Sequence, residues 1–346
     1  MIIFLTICRM IQLSRLTNSN IYVKVYFIMK RKTLTLICIL LSAVFVTPAY
    51  SYWIWTPKTG KWVNPKTMVR PSPKEQFDFA KSLYDIKSYE EAKKEFNKLL
   101  KSYPKSAEAA ESYYYIGLIN EAQGNIYEAY QAYQKVIDKY PFSERVQELI
   151  EKEYKIAERF MSGEKRMALG VTLPVENPAL EIFSKVVENS TYGPLAAKSQ
   201  YKLGLVLKGL GRYYEAEDAF NKVISNYPDS EWVKASKFQI AACRGAISRG
   251  PDYDQGATKE AKEKFEEFLR ENPDAVLSSD AEKSISDLRQ KEAESSFNIA
   301  RFYEKQQDYK AARVYYDDLL TNYPGSKWAE KAQARIDFME KKNAKK

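Results

Sequence analysis

Apolar residues along the chain recur in one fixed order inside successive blocks. In the first block an alanine is followed after four residues by an aromatic residue and after three more by another apolar one, at Ala92, Phe96 and Leu99. These positions share one face of a helix, because residues three and four apart are neighbours on its surface. The same order follows five further alanines, called here with Ala92 the anchor alanines: Ala129, Ala179, Ala216, Ala261 and Ala312.

The spacing of the anchor alanines gives the length of the repeating unit. Successive anchors are separated by 37, 50, 37, 45 and 51 residues. The shortest separations match a helix–turn–helix repeat of roughly 34 to 37 residues, and the longer ones indicate residues inserted in three intervals. Each unit is therefore predicted to be a hairpin of two helices, with the anchor alanine on the second.

A Tyr-Pro-x-Ser sequence closes four of the six units, at residues 103–106, 140–143, 227–230 and 323–326. Proline cannot continue a helix, because it has no amide hydrogen and its ring clashes with the preceding turn. A serine side chain can accept a hydrogen bond from the first free amides of the next helix. We therefore predict that each second helix ends before the proline and that the serine caps the next helix.

The two helices of a unit must approach each other closely. Gly117 and Gly204 both lie twelve residues before an anchor alanine, where the first helix passes its partner. One hairpin cannot bury both of its faces, so neighbouring hairpins stack into a solenoid. The predicted fold is an all-α, tetratricopeptide-like solenoid of about six helix pairs, forming a right-handed superhelix whose concave side is lined by the first helices.

Charge and composition exclude several classes of function. The chain of 346 residues carries a net charge of +9, but six basic residues and no acidic ones lie in residues 1–51, which leaves +3 for the remainder. A phosphate-binding surface is not indicated. The sequence has no histidine, and two of its three cysteines, Cys8 and Cys38, precede residue 52. We expect no cofactor, no metal site and no nucleic-acid or small-molecule substrate.

The first 51 residues have the organisation of a secretory leader. Three basic residues, 30–32, precede an apolar run at 34–46 and a small-residue site at 49–51. We expect translation to start at Met29 and cleavage to follow Ser51; a retained membrane anchor is the alternative. Cys38 lacks the small preceding residue that a lipid-attachment site requires.

The rest of the chain is divided into three segments. A Trp-rich segment (52–73) contains a short hairpin. The repeats (74–341) follow, with loops near 161–178 and 249–257, and a basic tail (342–346) ends the sequence.

The last third resembles the BamD family of outer-membrane assembly factors, within the tetratricopeptide superfamily. The resemblance lies in residues 261–268, 291–303 and 323–326, and in a long helix expected from Ser279 to Lys305. It implies a periplasmic scaffold, peripheral to the outer membrane, that binds the barrel-inserting protein with its C-terminal repeats and unfolded barrel substrates with its N-terminal ones. Members of that family are normally lipoproteins, so the missing lipid site is a departure. The alternative is a YbgF/CpoB-like periplasmic coordinator of envelope constriction, whose repeats share the Tyr-Pro-x-Ser sequence.

Counting back from the anchor alanines gives the positions of each first helix that face the concave side. They lie eight, eleven, fifteen and eighteen residues upstream. Aromatic side chains there can bury the side chains of an extended partner, although they could instead cover a neighbouring helix. The predicted groove consists of Lys74, Phe77, Lys81 and Tyr84 in the first repeat and Glu111, Tyr114, Leu118 and Glu121 in the second. The same count in the last repeat predicts a C-terminal partner contact at Glu294, Phe297, Arg301 and Glu304.

Three tryptophans follow the expected cleavage site: Trp53, Trp55 and Trp62. Pro57 and Gly60 suit a tight turn, so residues 54–56 can pair with residues 61–63 as a hairpin. The tryptophans are interpreted either as a hydrophobic cap over the first repeat or as a docking box for a partner or a membrane interface.

The chain is not expected to be an enzyme. Adjacent carboxylates occur, as at Glu266–Glu267 and Asp317–Asp318. Consecutive residues on a helix diverge by about 100°, so such pairs do not converge on one substrate. Nearly every patterned residue is already assigned to helix packing, which leaves binding as the expected activity.

Overall fold

The computed structural model of the chain describes residues 53–56, 60–64, 68–165, 167–168, 171–172, 177–248 and 250–343. The expected leader with Met29, Cys38 and Ser51 lies outside the described residues, as does the end of the basic tail. The chain divides into two compact units, Met1–Val69 and Arg70–Lys346. Each is described by itself.

In the first unit the described residues form one hairpin. Its strands are β1 (Ile54–Thr56) and β2 (Lys61–Val63). They pair antiparallel, with Ile54 opposite Val63 and Trp55 opposite Trp62. Gly60 has a φ of 62°, in the left-handed region that a residue without a side chain enters at little cost.

In the second unit the described residues form thirteen helices and a second short hairpin. The hairpin, β3 (Met167–Ala168) and β4 (Val171–Thr172), lies between the fifth and sixth helices. The helices are α1 (Pro73–Asp85), α2 (Tyr89–Ser102), α3 (Ala107–Ala122), α4 (Ile126–Lys139), α5 (Val146–Met161), α6 (Ala179–Asn189), α7 (Ala196–Gly209), α8 (Tyr213–Asn226), α9 (Trp232–Ile247), α10 (Gly256–Glu271), α11 (Ser278–Lys305), α12 (Tyr309–Asn322) and α13 (Lys327–Asn343).

The first twelve helices form six consecutive hairpins, each packing against the next. This confirms the predicted all-α solenoid of about six helix pairs. The odd-numbered helices are the first helices of the pairs, and consecutive first helices also touch, as α1 touches α3. The thirteenth helix, α13, lies beyond the six predicted pairs and follows Ser326, the last of the predicted capping serines. It packs against both α12 and α11 and closes the C-terminal end of the solenoid.

The repeated apolar positions form the core. All six anchor alanines are fully buried. The aromatic side chain four residues after each anchor is also buried, and the residue three further on packs beside it. A small residue at the anchor lets the helices approach, and each large side chain beside it contributes roughly 1.5 to 3 kcal/mol through burial. The largest of these buried rings are Tyr133, Tyr316, Phe96, Phe183 and Phe220.

The two helical glycines mark the closest approaches. A Cβ atom placed on Gly204 of α7 would lie 2.5 Å from Cε1 of Phe220 on α8. A Cβ on Gly117 of α3 would likewise overlap the ring of Tyr133 on α4. Both rings belong to residues four positions after an anchor alanine. The prediction that these glycines serve close packing is confirmed.

The Tyr-Pro-x-Ser sequences end helices where predicted. α2, α4, α8 and α12 each end at the residue before the tyrosine. The predicted serine cap is only partly correct. Ser326 Oγ accepts a hydrogen bond from the Ala329 amide at 3.2 Å, whereas Ser143 and Ser230 reach only the amide two residues on, as in a serine turn. The predicted cap at Ser106 is wrong, because its Oγ is buried and has no hydrogen-bond partner among the described residues.

The long helix expected from the family resemblance is present. α11 has 28 residues, twice the length of α12, and begins one residue before the expected start. Its N-terminal half packs against α10 and its C-terminal half against α12 and α13. Among the described helices, this one included, none combines the length and apolarity needed to cross a membrane.

Candidate partner-binding surface

The first helices α3 and α5 are joined by a cluster centred on Arg145, at the start of α5. Arg145 Nε lies 2.6 Å from Glu111 Oε1 of α3, and Nη1 lies 3.0 Å from Glu148 Oε2. The guanidinium group also stacks 3.9 Å from the centre of the Tyr114 ring. One arginine thus contacts two predicted groove residues, Glu111 and Tyr114, and joins two repeats through them.

Tyr114 is fixed in this cluster by a second contact. Its hydroxyl donates a hydrogen bond to Glu148 Oε1 at 3.0 Å. Burial, together with that carboxylate, raises the pKa of Tyr114 to about 12, so the phenol keeps its proton at neutral pH. The ring remains partly exposed. Tyr114 therefore presents a rigid aromatic surface, as a binding residue on a scaffold should.

A pocket of about 400 Å³ lies beside this cluster, between α3 and α5. Lys152 Nζ of α5 crosses it to Glu121 Oε2 of α3 at 3.1 Å. Three carboxylates and three cations line the pocket together with one apolar side chain: Glu121, Glu148, Glu151, Lys152, Lys155, Arg159 and Ile156. Charges of both signs around a shallow pocket can bind a polar or zwitterionic chain segment through paired contacts.

Polar links between consecutive first helices continue along the solenoid. Lys202 of α7 lies 3.5 Å from Glu158 of α5. Lys208 of α7 donates to Gln239 of α9 at 2.7 Å. Three carboxylates that the sequence predicts as contacts for a partner protein belong to such links: Glu111, Glu121 and Glu304. Their carboxylates therefore hold neighbouring repeats together in this structure.

The aromatic residues predicted on α1 lie against α3. Phe77 and Tyr84 both pack edge-on to Tyr115, with ring centres 5.6 and 5.0 Å away. Tyr115 in turn stacks on Phe96 of the core at 5.5 Å. Phe77 and Tyr84 stay partly exposed, as do Leu118 and Lys81, while Lys74 is exposed. The structure thus brings the predicted N-terminal groove residues onto two adjacent first helices.

The predicted C-terminal contact requires a correction at Phe297. Only 8% of this residue is exposed, because its ring packs between Tyr316 and Trp328 at 5.6 and 5.0 Å. Trp328 belongs to α13, which covers this position. Phe297 is therefore a core residue and is not available to a partner. The carboxylate of Glu304 already has partners within the chain, because it accepts hydrogen bonds from Tyr316 and Arg335.

The other two residues of that predicted contact, Glu294 and Arg301, remain partly exposed on α11. Phe302 and Ile299 of the same helix are exposed apolar side chains, at 57% and 40%, but they lie about 80° or more around the helix from the two charges. The part of the predicted C-terminal contact that stays accessible is therefore the charged pair on α11.

Arg145, Glu148 and Lys152 were missed by the sequence reasoning. The groove positions on α1 and α3 were found by counting eight to eighteen residues upstream of an anchor alanine. The same count from Ala179 falls mostly in the insertion between α5 and α6, so it does not identify the exposed residues of α5. The apolar spacing of Leu149, Ile156 and Phe160 is a signal for this helix, because residues seven and four apart share one face and these side chains are buried on α5.

The three tryptophans belong to the other compact unit. Trp53, Trp55 and Trp62 are 59%, 48% and 63% exposed. The rings of Trp55 and Trp62 meet edge to face across the two strands, with centres 5.8 Å apart. Their role as a docking box stays a prediction.

The adjacent carboxylates contact different neighbours. Glu266 lies 3.5 Å from Arg289, whereas Glu267 lies 2.9 Å from Lys264.

Burial raises the pKa of the Cys243 thiol to about 11, so the sulfur is protonated and packs as an apolar group. In the described part of the chain, no group of three or more acidic or cysteine side chains is arranged to hold a metal ion.

Comparison with known families assigns the repeats. Tetratricopeptide-repeat models match residues 77–144, which hold most of α1 and all of α2 to α4, and residues 198–230, which hold α8 and most of α7. These three helix pairs therefore match the tetratricopeptide repeat. A third family model, YfiO, described as an outer membrane lipoprotein, matches residues 243–346. The region that it matches comprises the end of α9 and all of α10 to α13.

Solved tetratricopeptide structures resemble this chain at low identity. The C-terminal part of a repeat protein from Cytophaga hutchinsonii is 20% identical, with 75% of this chain and 87% of that one covered and a TM-score of 0.33. A repeat protein from Parabacteroides merdae is 14% identical, with 77% and 97% covered and a TM-score of 0.30. A thermophilic one from Thermus thermophilus is 15% identical, with 63% and 98% covered and a TM-score of 0.29. The comparison with curated proteins gave no match.

Proposed function

We propose that this tetratricopeptide protein is a periplasmic scaffold of the machinery that assembles outer-membrane β-barrels, peripheral to the outer membrane. It binds the barrel-inserting protein through its C-terminal repeats and unfolded barrel segments along its N-terminal first helices. It acts by binding and performs no chemical step. The observation that carries this proposal is the match of the outer-membrane lipoprotein family to residues 243–346.

The geometry of the C-terminal repeats is consistent with a docking role. α11 is long enough to pack against α10, α12 and α13, so its exposed side chains are held on a rigid support. Glu294 and Arg301 are partly exposed, so both can pair with charges across an interface, and Arg301 also lowers the pKa of Glu304 on the same helix through its charge.

The N-terminal repeats suit an extended polypeptide. Tyr84 and Tyr114 supply rigid rings, and the pocket between α3 and α5 supplies charges of both signs. An unfolded barrel strand alternates apolar and polar side chains, so it can place apolar groups on the rings and polar ones in the pocket.

The docking half of the proposal is tested by crosslinking and affinity purification from intact cells. We expect the tagged full chain to recover the barrel-inserting protein, and the double variant Glu294→Lys, Arg301→Glu to recover at least several-fold less. Glu282→Lys, Lys283→Glu is the matched control, because both residues are exposed on the same helix and the net charge is again unchanged. Equal recovery by both variants contradicts a contact on this face.

The substrate half is tested with a photo-crosslinking residue placed at Lys81 or Leu118, both partly exposed on the first helices. A denatured outer-membrane barrel protein diluted into the sample should crosslink at both positions. Lys94, exposed on α2, is the control and should give little product. Recovery of cell-division or Tol proteins, with no barrel-inserting protein and no crosslinked substrate, would favour the coordinator function instead.

A further inference from the structure

The last helix, α13, carries acidic and basic side chains on separate flanks of its buried stripe. The buried stripe packs against α11 and α12 and consists of Ala329, Ala332, Ile336 and Met339. One position after these residues lie Glu330, Gln333, Asp337 and Glu340, and one position before them lie Trp328, Lys331, Arg335 and Phe338. Each residue turns a helix by about 100°, so the two sets occupy opposite flanks of the stripe. Arg335 pairs with Glu304 of α11, so the basic flank adjoins the first helix of the preceding repeat.

Four exposed residues of α13 occupy the positions that line the predicted groove on α3. On α3 the groove residues Glu111, Tyr114, Leu118 and Glu121 follow Ser106 by five, eight, twelve and fifteen residues. The same count from Ser326 gives Lys331, Ala334, Phe338 and Lys341, and all four are exposed. We call these four residues the α13 face. Lysines therefore stand on the α13 face at the two positions where α3 has glutamates.

The glutamates of α3 show what these two positions contact. Glu111 lies 2.6 Å from Arg145 of the next first helix, α5. Glu121 lies 3.1 Å from Lys152 of the same helix. Both positions therefore form ion pairs with a chain that lies alongside. Because α13 has lysines there, a chain that pairs with the α13 face in the same way has to be acidic.

The side chains of the α13 face are open to such a chain. Phe338 is 50% exposed, and the guanidinium group of Arg335 lies 4.8 Å from the centre of its ring. The Lys331 ammonium group lies 4.1 Å from the centre of the Trp328 ring, a contact that orients the group without neutralising its charge. In the described part of the chain, neither Lys331 nor Lys341 has a carboxylate oxygen within 4 Å.

The surroundings of the face favour one kind of ligand. Glu330 and Asp337 lie along one edge of it, on the acidic flank. A bilayer or a nucleic acid presents phosphates over its whole surface and would bring them onto these carboxylates as well, whereas a peptide can place its charges only at the lysines. Lys331 and Lys341 are about 15 Å apart along the helix, a distance that an extended segment spans with about five residues.

We propose that the α13 face binds an acidic segment of a partner protein in an extended conformation. Two carboxylates of the segment, about four to six residues apart, pair with Lys331 and Lys341, and an apolar side chain between them packs on Phe338. This binding is independent of the function proposed above, because it requires neither the barrel-inserting protein nor a barrel substrate.

A phage-displayed library of short random peptides, selected on the purified full chain, tests for such a ligand. Peptides enriched on the wild type should carry two carboxylates about four to six residues apart with an apolar residue between them. The variant Lys331→Glu, Lys341→Glu should not enrich them. Lys94→Glu, Lys101→Glu is the matched control, because both lysines are exposed on α2 and the net charge changes by the same amount. This control should enrich the same peptides as the wild type.

One enriched peptide, labelled with fluorescein, is then titrated with each protein. Its affinity should fall roughly tenfold or more in Lys331→Glu, Lys341→Glu and in Phe338→Ser, and stay within about twofold in the α2 control. The affinity for the wild type should also fall at high salt. If the charge reversal lowers the midpoint of urea unfolding, Lys331→Gln, Lys341→Gln takes its place. Enriched peptides without paired carboxylates, or equal affinity for the α13 variants and the control, would overturn the proposal. Binding of phosphatidylglycerol vesicles or of a second copy through this face, without any peptide, would do the same.

Discussion

Gly117 of α3 lies so close to the ring of Tyr133 on α4 that even a methyl group in place of its hydrogen would overlap the tyrosine. The same relationship joins Gly204 of α7 to Phe220 of α8. In both hairpins the ring follows the anchor alanine by four residues, so a large side chain on the second helix fits against bare backbone on the first. Each close approach thus depends on a matched pair of one large and one absent side chain.

Alanine at either glycine should destabilise the protein. Overpacking of a filled core costs roughly 1 to 3 kcal/mol, which outweighs the gain of up to about 1 kcal/mol in helix propensity. We therefore expect Gly117→Ala and Gly204→Ala to lower the midpoint of urea unfolding. Gly209→Ala, in the same helix as Gly204, is the control, because a Cβ there has no atom within 4 Å. The close-packing argument fails if Gly204→Ala is as stable as this control.

These pairs show why so much of the fold could be predicted from the sequence. The spacing of an alanine, an aromatic residue and a further apolar residue encodes contacts within one hairpin, and such contacts are local. The links between first helices depend on geometry between repeats. An insertion after Met161 changes the number of residues between α5 and its anchor alanine, Ala179. Arg145 and Lys152 therefore could not be located by counting back from that alanine. The α13 helix lacks an anchor alanine of its own, and Phe297 was misassigned because the residue covering it, Trp328, belongs to that helix.

Arg145 should contribute to the stacking of α3 on α5 more than an ordinary surface cation does. It contacts Glu111, Glu148 and the Tyr114 ring together, whereas most exposed pairs contribute between 0 and about 1 kcal/mol. We expect Arg145→Gln to cost on the order of 1 kcal/mol or somewhat more and to increase amide exchange in the first turns of α5. Lys264→Gln is the control, since its pair with Glu267 joins two exposed side chains within α10 and links no second helix. Equal losses in the two variants would contradict the prediction.

Glu304 should hold the terminal helix α13 in place. It accepts hydrogen bonds from Arg335 of α13 and from Tyr316, and its side chain is only 9% exposed. Burial opposes its ionisation, but the hydrogen bonds from Arg335 and Tyr316 outweigh it and hold the pKa of Glu304 below its ordinary value. A carboxyl group whose pKa is lowered on folding stabilises the protein above its unfolded pKa, and that stabilisation is lost as the pH falls through the folded value.

We therefore expect Glu304→Gln to accelerate amide exchange throughout α13 at neutral pH. The difference from wild type should shrink as the pH falls below about 4.5 towards the lower folded pKa, because the carboxyl group of the opened chain is protonated first and that of the folded protein last. Glu340→Gln offers a matched comparison, because Glu340 pairs with Arg313 between α12 and α13 but is 56% exposed. Its effect should be small. An unchanged exchange rate in Glu304→Gln would show that apolar packing alone holds the helix.

Glu153 of α5 is a carboxyl group in a position that disfavours its ionisation. It is fully buried, and neither carboxylate oxygen has a hydrogen-bond partner there. Burial raises its pKa well above the ordinary value, Asp138 raises it further, and Lys185 partly opposes both. The folded protein therefore holds this proton more tightly than the unfolded chain does. Below the unfolded pKa, Glu153 does not reduce the stability of the protein. As the pH rises from there towards the folded pKa, the raised pKa of this group lowers the free energy of unfolding.

Glu153→Gln should consequently stabilise the protein at neutral pH, by roughly 1 to 3 kcal/mol, because glutamine requires neither a buried charge nor the uptake of a proton on folding. The gain relative to wild type should diminish as the pH approaches about 4.5, since wild-type Glu153 is then protonated in both states. Urea unfolding of both proteins across this pH range measures the difference. Glu151→Gln, at an exposed position one half-turn away, should change stability little at any pH. A loss of stability in Glu153→Gln at neutral pH would mean that the carboxylate has a partner that stabilises its charged form.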